Sequence, residues 1–295
     1  MNIIMRFMHI DKESPRWRSF KRAWYNFSRN PTSLIGLIIV IITIIIALFP
    51  DYIAPYPSHA GYYINFREAK LPPSSKHIFG TDEYGRDVFS RVLFGFQYSM
   101  KLVAVVLAVT APPGIILGLI AGYYDKSLIG WLIMRVADMF IAVPALVLAL
   151  SICSILPPSI FNVMIAVSLM WWPWYTRLCY NTTLSLKNEY FVKAMEIVGA
   201  SRFHIIFREI LPNELGPILT KLTLDVGWVI LIGAALSFVG LGAQPPTPDL
   251  GTMVSEGAKY LPEYWWISLF PALAISFIIL GFNLLGDGIN DALSR

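Results

Sequence analysis

Long apolar stretches recur along the chain and set the first expectation about its fold. Because a helix needs roughly 20 apolar residues to cross the hydrocarbon core of a bilayer, windows of about that length predict membrane spans. The sequence contains six of them, at about 33–50, 99–123, 134–156, 159–177, 216–241 and 264–286. The pattern therefore predicts an all-α integral membrane protein with six transmembrane helices.

The same pattern predicts how the rest of the chain is organised. Residues 1–32 form an N-terminal tail, and residues 33–295 form one membrane domain without an internal repeat. The segment 51–98 separates the first two spans, and the segment 178–215 separates the fourth from the fifth. Only the turn from Leu156 to Ser159 joins the third and fourth spans, so these two are expected to be antiparallel neighbours.

Aromatic residues recur at helical spacing in the N-terminal tail, with cations between them: Trp17, Phe20, Trp24 and Phe27 alternate with Arg16, Arg18, Lys21 and Arg22. A helix of this composition rests in the headgroup layer of a membrane. Interleaved aromatic and basic residues also suit nucleic-acid binding, but the position directly before a span favours lipid. We therefore predict a membrane-interfacial helix and no nucleic-acid partner.

Composition and charge agree with a membrane location. The chain is 56% hydrophobic and 14% charged, with a mean hydropathy of +0.60, which is more apolar side chain than one soluble core can hide. Cations cluster in the tail and in the segment 178–215, whereas Lys259 is the only cation of the segment 242–263. The bias of Lys and Arg toward the cytoplasm then predicts that both termini are cytoplasmic and that 51–98 is extracytoplasmic.

The segment 178–215 has the pattern of two short amphipathic helices around a glycine elbow. The first carries an apolar stripe at positions i, i+3, i+4 and i+7, formed by Phe191, Ala194, Met195 and Val198. Gly199 suits the left-handed conformation that ends a helix, and Ser201 suits the N-cap of the next. A second stripe of Phe203, Ile206, Phe207 and Ile210 follows and is expected to stop at Pro212.

Two functions fit these amphipathic helices. They could pack back onto the ends of the spans, which composition alone favours, or one apolar face could dock into a groove on a cytosolic partner.

Ionisable residues within or beside the spans are further candidates for function. Asp225 could line a pathway or bond a neighbouring helix, and Ser237 in the same span is a second candidate pathway residue. Asp138 lies one turn from Arg135, which predicts a structural pair. A cluster in a predicted solvent-facing segment invites a metal site, but a salt-bridged loop is the preferred interpretation: Asp82, Glu83, Arg86, Asp87 and Arg91.

Several segments carry a family resemblance. The run from Tyr190 to Ser201, with the later Ile210-Leu211-Pro212-Asn213, resembles the EAA loop of permease subunits of binding-protein-dependent ABC importers. That loop has a Glu-Ala-Ala triplet, a glycine four residues after its last alanine, and a later Ile-x-Leu-Pro. Here Lys193-Ala194-Met195 stands in place of the triplet, so its first and third positions differ.

Three more segments are similar to the second permease subunit of dipeptide, oligopeptide and nickel transporters within that family. They are 79–91, 235–248 and 282–288, and the four matches stand in the family's order along the chain from about residue 20 to its end.

The resemblance implies a type I ABC importer permease fold, in the plasma membrane of a prokaryote, with a cytoplasmic coupling helix. The partners would be a second permease subunit, two ATP-binding subunits and an extracytoplasmic solute-binding protein. ATP and Mg²⁺ would be bound by the ATP-binding subunits, and no cofactor by this chain. The residues implied to contact the ATP-binding subunit or to shape that contact are Phe191, Val192, Lys193, Ala194, Met195, Gly199, Ala200, Leu211 and Pro212.

The residues themselves argue against an enzyme. The sequence holds no Gly-x-x-x-x-Gly-Lys-Ser/Thr motif, so it cannot build the usual phosphate-binding loop, and no zinc-protease motif or paired acids lie within the spans. A stand-alone secondary transporter is a less favoured alternative, because the spans are too uniformly apolar for a pathway within one chain. The family resemblance implies peptides as the solute, with oligosaccharides and nickel chelates as alternatives.

Overall fold

Helices make up most of the molecule. The computed structural model describes residues 15–294, with side chains throughout this range except at positions 15, 16, 18–20 and 294. The helices are α1 Pro15–Arg29, α2 Pro31–Leu48, α3 Pro50–Ile53, α4 Val88–Tyr123, α5 Leu128–Ile141, α6 Ala145–Ile155, α7 Ile160–Leu186, α8 Tyr190–Ile197, α9 Arg202–His204, α10 Leu211–Phe238, α11 Leu250–Ala258 and α12 Trp266–Ser294.

Four helical stretches are long and apolar enough to cross a membrane: α2, α4, the continuous run Arg202–Phe238, and Trp266–Leu293 of α12. The bent pair α5 and α6 makes a fifth if it is counted as one span. The described part of the chain is therefore helical and multi-spanning, as predicted. The number six stays a prediction, because α7 is long but is not among these stretches.

The predicted third span, 134–156, is interrupted in the structure. The chain breaks between Ile141 and Ala145, and α5 and α6 meet at an angle of 83°. Pro144 explains the break, since proline has no N–H to donate and disfavours helical geometry in the residue before it. The chain therefore turns at Pro144 and continues as the short helix α6.

The helix that contains the predicted second span begins well before that span. The helix α4 starts at Val88 rather than near 99, because the Asp87 carboxylate accepts the Ser90 N–H at 2.7 Å and caps its first turn. At 1.5 Å per residue its 36 residues extend about 54 Å, which exceeds the roughly 30 Å of a bilayer core. One end of α4 therefore projects beyond the membrane and reaches the loops.

The helix α4 packs most extensively against α7. Gly114, Gly118 and Gly122 of α4 lie at successive turns and face Tyr175, Cys179 and Thr183 of α7, which are spaced in the same way. An added Cβ at each of these glycines would lie 2.6 Å from an atom of α7. Small residues at this spacing let two helix backbones approach closely within a membrane. The two helices therefore form one tightly packed pair.

The remaining long helices complete the bundle around this pair. The helix α12 packs against α2, α10 and α11, and α1 packs against α12. Residues 15–29 are helical, as the tail pattern predicted. The tail before residue 15 and the Phe20 side chain lie outside what the structure describes, and the membrane-interfacial position of α1 stays a prediction.

The close approach of α4 and α7 generates a first prediction. Replacing Gly118 with alanine places a methyl group 2.6 Å from both the Cys179 Cβ and the Thr176 carbonyl oxygen. Overpacking of this kind costs about 1–3 kcal/mol, so we expect a lower thermal unfolding midpoint for the purified protein in detergent.

Gly216→Ala is the matched control, because it adds the same methyl group to a helix where the nearest atom, Leu293 Cδ1, is 3.6 Å away. Alanine is the better helix former by up to about 1 kcal/mol, so this variant should keep or raise the midpoint. Equal unfolding midpoints for the two variants would contradict the close packing of α4 against α7.

Candidate coupling site and buried charge clusters

The short helix α8 is anchored by one apolar face. Val192 is fully buried in a cluster with Leu119 of α4 and with Ile205, Ile206 and Ile210 from the far side of the elbow. Since Leu119 lies in the last turns of α4, this cluster fixes α8 to the end of the α4 and α7 pair. The helices of this segment therefore do pack back onto the long helices, as composition favoured.

Polar contacts strengthen the same anchor. The Tyr123 hydroxyl donates a hydrogen bond to Glu196 of α8 at 3.0 Å. The Lys187 ammonium group donates to the Asp125 carboxylate, and this contact holds the pKa of Asp125 below its ordinary value. Tyr123 and Asp125 both lie at the end of α4, so two polar contacts and the apolar cluster hold the segment at one place.

The glycine elbow is confirmed. Gly199 has a φ of +85°, in the left-handed region, and the Ala200 N–H donates to the Met195 carbonyl at 3.0 Å. The Ser201 hydroxyl then accepts the His204 N–H at 3.2 Å and caps the next helix, as predicted. The elbow sets the angle between α8 and the helical run that follows it.

The prediction that Pro212 stops the second amphipathic helix is wrong. A π-helical turn over Ile205–Ile210 joins α9 to α10 without a break, and Pro212 lies in the first turn of α10, where a missing N–H costs little. The Asn213 amide donates to the Glu209 carbonyl at 2.7 Å, which satisfies a carbonyl beside the proline. A rigid helical run therefore connects the elbow directly to α10.

The face of α8 opposite Val192 is apolar and exposed. Tyr190, Ile197 and Val198 are 89%, 86% and 80% exposed, and Phe203 beyond the elbow is 72% exposed. We call these four residues the docking patch. Large apolar side chains this exposed beside a buried anchor are typical of a surface that meets another protein.

The residues implied by the family resemblance divide between the two faces. Val192 is buried, and Met195, Ala200 and Leu211 are partly buried against the anchoring cluster. The others are exposed: Phe191, Lys193, Ala194, Gly199 and Pro212. The predicted stripe is therefore split, because Met195 turns toward the cluster while Ala194 and Val198 face outward. The role of these residues in coupling stays a prediction.

Asp225 and Ser237 are both buried in α10. Asp225 accepts a hydrogen bond from Lys221, one turn earlier in its own helix, at 3.0 Å, and the Lys221 ammonium group lies 5.3 Å from the Tyr175 ring centre of α7. Ser237 packs directly against Gly242. A Cβ added to Gly242 would lie 1.9 Å from the Ser237 hydroxyl oxygen. Their assignment to a pathway stays a prediction.

The predicted pair of Asp138 with Arg135 is wrong. Asp138 forms its ion pair with Arg177 of α7, whereas the Arg135 guanidinium lies 5.5 Å from the Trp131 ring centre. Arg177 lies 39 residues along the chain, so helical spacing alone could not identify it.

The charged segment before α4 is salt-bridged, as predicted, but it is buried rather than solvent-facing. Asp82 pairs with Arg86 at 2.6 Å and with Arg91 at 3.4 Å, and all three side chains are nearly inaccessible. The Trp266 indole N–H donates to the Thr81 carbonyl at 3.2 Å and holds this segment against α12. Among the described residues, no group of three or more His, Cys, Asp or Glu is arranged to hold a metal ion.

Two histidines stabilise the same segment. The His77 ring contacts the Asp87 carboxylate at 2.9 Å, and Nδ1 of His59 accepts the Asp87 N–H at 2.8 Å. This last bond requires an unprotonated Nδ1 on His59. Burial lowers the pKa of His59, and the charges of Asp87, Asp82 and Glu68 only partly oppose that shift.

Sequence reasoning missed one buried acid beside residues 187–210, the stretch between α7 and α10 that we call the coupling segment. Glu214, in the first turn of α10, is 1% exposed and forms a hydrogen bond with Thr183 of α7 at 2.5 Å. The predicted span begins at 216, so the sequence pattern places Glu214 in the segment 178–215 before it. The available signal is an acid two residues after Pro212, at the start of a long apolar stretch.

The fold and the site define a multi-pass helical membrane protein with an anchored apolar helix between two of its long helices. Residues 114–295 match the family described as binding-protein-dependent transport system inner membrane component. Residues 19–73 match the N-terminal transmembrane domain of oligopeptide transport permease C.

Curated relatives align along nearly the whole chain. The probable D,D-dipeptide transport system permease protein of Escherichia coli K12 is 37% identical, with 96% of this chain and 93% of the relative covered. A dipeptide transport system permease protein of Alkalihalophilus pseudofirmus is 39% identical, with coverages of 93% and 89%. A glutathione transport system permease protein of Escherichia coli O6:K15:H31 is 40% identical, with coverages of 96% and 91%.

The chain belongs to the family of binding-protein-dependent transport system inner membrane components. It is a permease subunit of the ABC importer class and not an enzyme, and separate subunits hydrolyse ATP. Such permeases work in membrane complexes with other permease, ATPase and binding-protein subunits.

The histidine geometry predicts a pH dependence. A lowered pKa means that the folded segment binds a proton on His59 less well than the unfolded one. Stability is therefore full above the ordinary value of 6.5 and decreases as the pH falls below it. We expect hydrogen exchange in residues 51–87, corrected for intrinsic rates, to quicken on acidification through this range.

His59→Gln is the comparison that isolates this effect. The variant lacks the titrating ring, so its exchange should lose the part of the pH dependence due to His59. The comparison is needed because burial raises the pKa of both Glu83 and Glu256. A raised carboxyl pKa stabilises the folded state on acidification, so these two groups oppose the effect of His59. Identical pH profiles for the two proteins would show that His59 does not contribute.

Proposed function

We propose that this chain forms half of the translocation pathway of an ATP-driven importer for di- and oligopeptides. Its partners are a second, different permease subunit, two cytosolic ATP-binding subunits and an extracytoplasmic solute-binding protein. Membership in the permease family supports the proposal. The observation that carries the coupling part is the docking patch, which is exposed on one face of a helix whose other face is fixed.

The docking patch suits the transfer of movement from an ATP-binding subunit. A force applied to Ile197 or Val198 acts on a helix anchored to α4 through Val192 and continuous with α10 through the elbow and the π-helical turn. Packed elements of this kind move as bodies rather than deform. ATP and Mg²⁺ are bound by the partner, and this chain binds no cofactor in the proposed mechanism.

A six-span arrangement follows if α7 and the bent pair α5 and α6 each count as one span. The helix α7 has 27 residues and extends about 40 Å, enough to cross a bilayer. Both termini and the docking patch then lie in the cytoplasm, in agreement with the distribution of cations. The pathway itself would form at the interface with the second permease, with Asp225 and Ser237 as candidate residues.

The peptide class of solute rests on the relatives. Their names specify dipeptides, D,D-dipeptides and glutathione, and glutathione is itself a tripeptide. Solutes of this kind carry a free amino group and a carboxylate on a short polar backbone.

Uptake and co-purification together test the proposal. Cells with and without this chain should differ in uptake of labelled dialanine and glutathione, and the chain should co-purify in mild detergent with ATPase, permease and binding-protein subunits. Uptake of a maltooligosaccharide or a nickel chelate in place of peptides would overturn the solute class. A chain that purifies alone and transports without ATP would indicate a secondary transporter.

A charge placed in the docking patch should release the ATP-binding subunits. Val198 is 80% exposed, so Val198→Glu leaves the fold intact but puts a carboxylate into the proposed apolar contact, where its desolvation is costly. We expect a loss of ATPase co-purification of at least about tenfold, since a desolvated charge costs more than 1.4 kcal/mol. Ser185→Glu is the control, because it adds the same charge at an exposed position outside the patch.

A further inference from the structure

One buried hydrogen bond joins the two helices that flank the coupling segment. Thr183 lies in the last turns of α7, and Glu214 lies in the first turn of α10. The Thr183 Oγ1 and the Glu214 Oε1 are 2.5 Å apart, although the residues are separated by 31 positions in sequence. The bond therefore joins the helix that enters the coupling segment to the helix that leaves it.

The Glu214 carboxyl group is buried without a countercharge. Its side chain is 1% exposed and Thr183 is fully buried, while the second oxygen, Oε2, has no hydrogen-bond partner. Among the described residues, no Lys, Arg or His nitrogen lies within ion-pair distance of Glu214, and the neighbouring group is the Cys179 thiol. An unpaired carboxylate is costly to bury in an apolar interior, so these surroundings favour the uncharged acid.

Thr183 is the fixed partner of this bond. The α4 backbone at Gly122 lies so close that an added Cβ would be 2.6 Å from the Thr183 Cβ, and Gly118 is equally close to Cys179. Thr183 thus belongs to the tightly packed pair of α4 and α7. Glu214 belongs to α10, which packs against that pair but is not part of the close contact at Gly114, Gly118 and Gly122.

A force on the docking patch has two routes into the bundle. One runs through Val192 and Glu196 to the end of α4, and the other runs through the elbow and the π-helical turn into α10. The two routes are joined again where Thr183 of α7 forms its hydrogen bond with Glu214 of α10.

We infer that Glu214, as an uncharged acid, is a positioning residue that holds the start of α10 against the α4 and α7 pair. Movement of the docking patch then shifts both parts together. The coupling role rests on the proposed function, whereas the protonation of Glu214 is independent of it.

Infrared spectroscopy tests the protonation without any transport assay. The difference spectrum between the purified wild-type complex and Glu214→Gln at neutral pH should contain the C=O stretch of a protonated carboxylic acid. A carboxylate band in its place would overturn the inference, whatever the complex transports.

The coupling role is tested by ATP hydrolysis of the assembled complex in proteoliposomes, measured with and without binding protein loaded with dialanine. Glu214→Gln should keep stimulation within about twofold, because the carboxamide can form a neutral hydrogen bond. Glu214→Leu and Thr183→Val should each lower stimulation about fivefold, as expected for one lost hydrogen bond, and the double variant should lower it no further.

Thr182→Val is the matched control. It removes the neighbouring hydroxyl group, which bonds the Leu178 carbonyl of its own helix at 3.0 Å. It should leave stimulation unchanged. A Gln variant as impaired as the Leu variant, or a Thr183 variant as active as the Thr182 control, would overturn the positioning role. If the wild-type complex itself shows no stimulation, the proposed function fails, and the infrared result alone decides the state of Glu214.

Discussion

The structure depends on the close approach of α4 to α7. Helices in lipid gain little from the hydrophobic effect when they associate, so close packing and interhelical hydrogen bonds must hold them together. The glycines of α4 allow that contact, and the Thr176 hydroxyl group adds a hydrogen bond to the Gly114 carbonyl at 3.1 Å. A pair joined along three successive turns is stiff, and both the coupling segment and α10 are positioned relative to it.

The short helix α8 meets two demands that a simple amphipathic helix could not meet together. One apolar face buries Val192 and fixes the helix, and another stays exposed, as the docking of a partner in the proposed mechanism requires. The sequence accommodates both by placing apolar residues on opposite sides and confining charges such as Lys193 and Glu196 to the borders. A single apolar stripe would provide either the anchor or the docking patch, but not both. Of the two, composition alone favours the anchor.

Local features of the coupling segment could be predicted from sequence, and long-range features could not. Gly199 and Ser201 act through their own backbone neighbours, so their roles followed from residue type. The partner of Asp138 is Arg177, 39 residues away, and helical spacing pointed instead to Arg135. The apolar windows indicate where spans lie, but they do not show how sharply the chain bends at Pro144 or that Asp87 starts another helix early. Those outcomes depend on how a proline or a cap competes with tertiary packing.

The interface between α7 and α10 differs from that between α4 and α7 in how well its polar atoms are satisfied. Three buried atoms along it lack hydrogen-bond partners among the described residues: the Tyr175 hydroxyl oxygen, Glu214 Oε2 and Asp225 Oδ2. Buried polar atoms without partners are costly, and native proteins keep few of them. An interface that carries three is held less firmly than one closed by backbone contact. The α10 helix is therefore held less firmly against α7 than α4 is, and the hydrogen bond between Thr183 and Glu214 is the contact that keeps the start of α10 with the fixed pair.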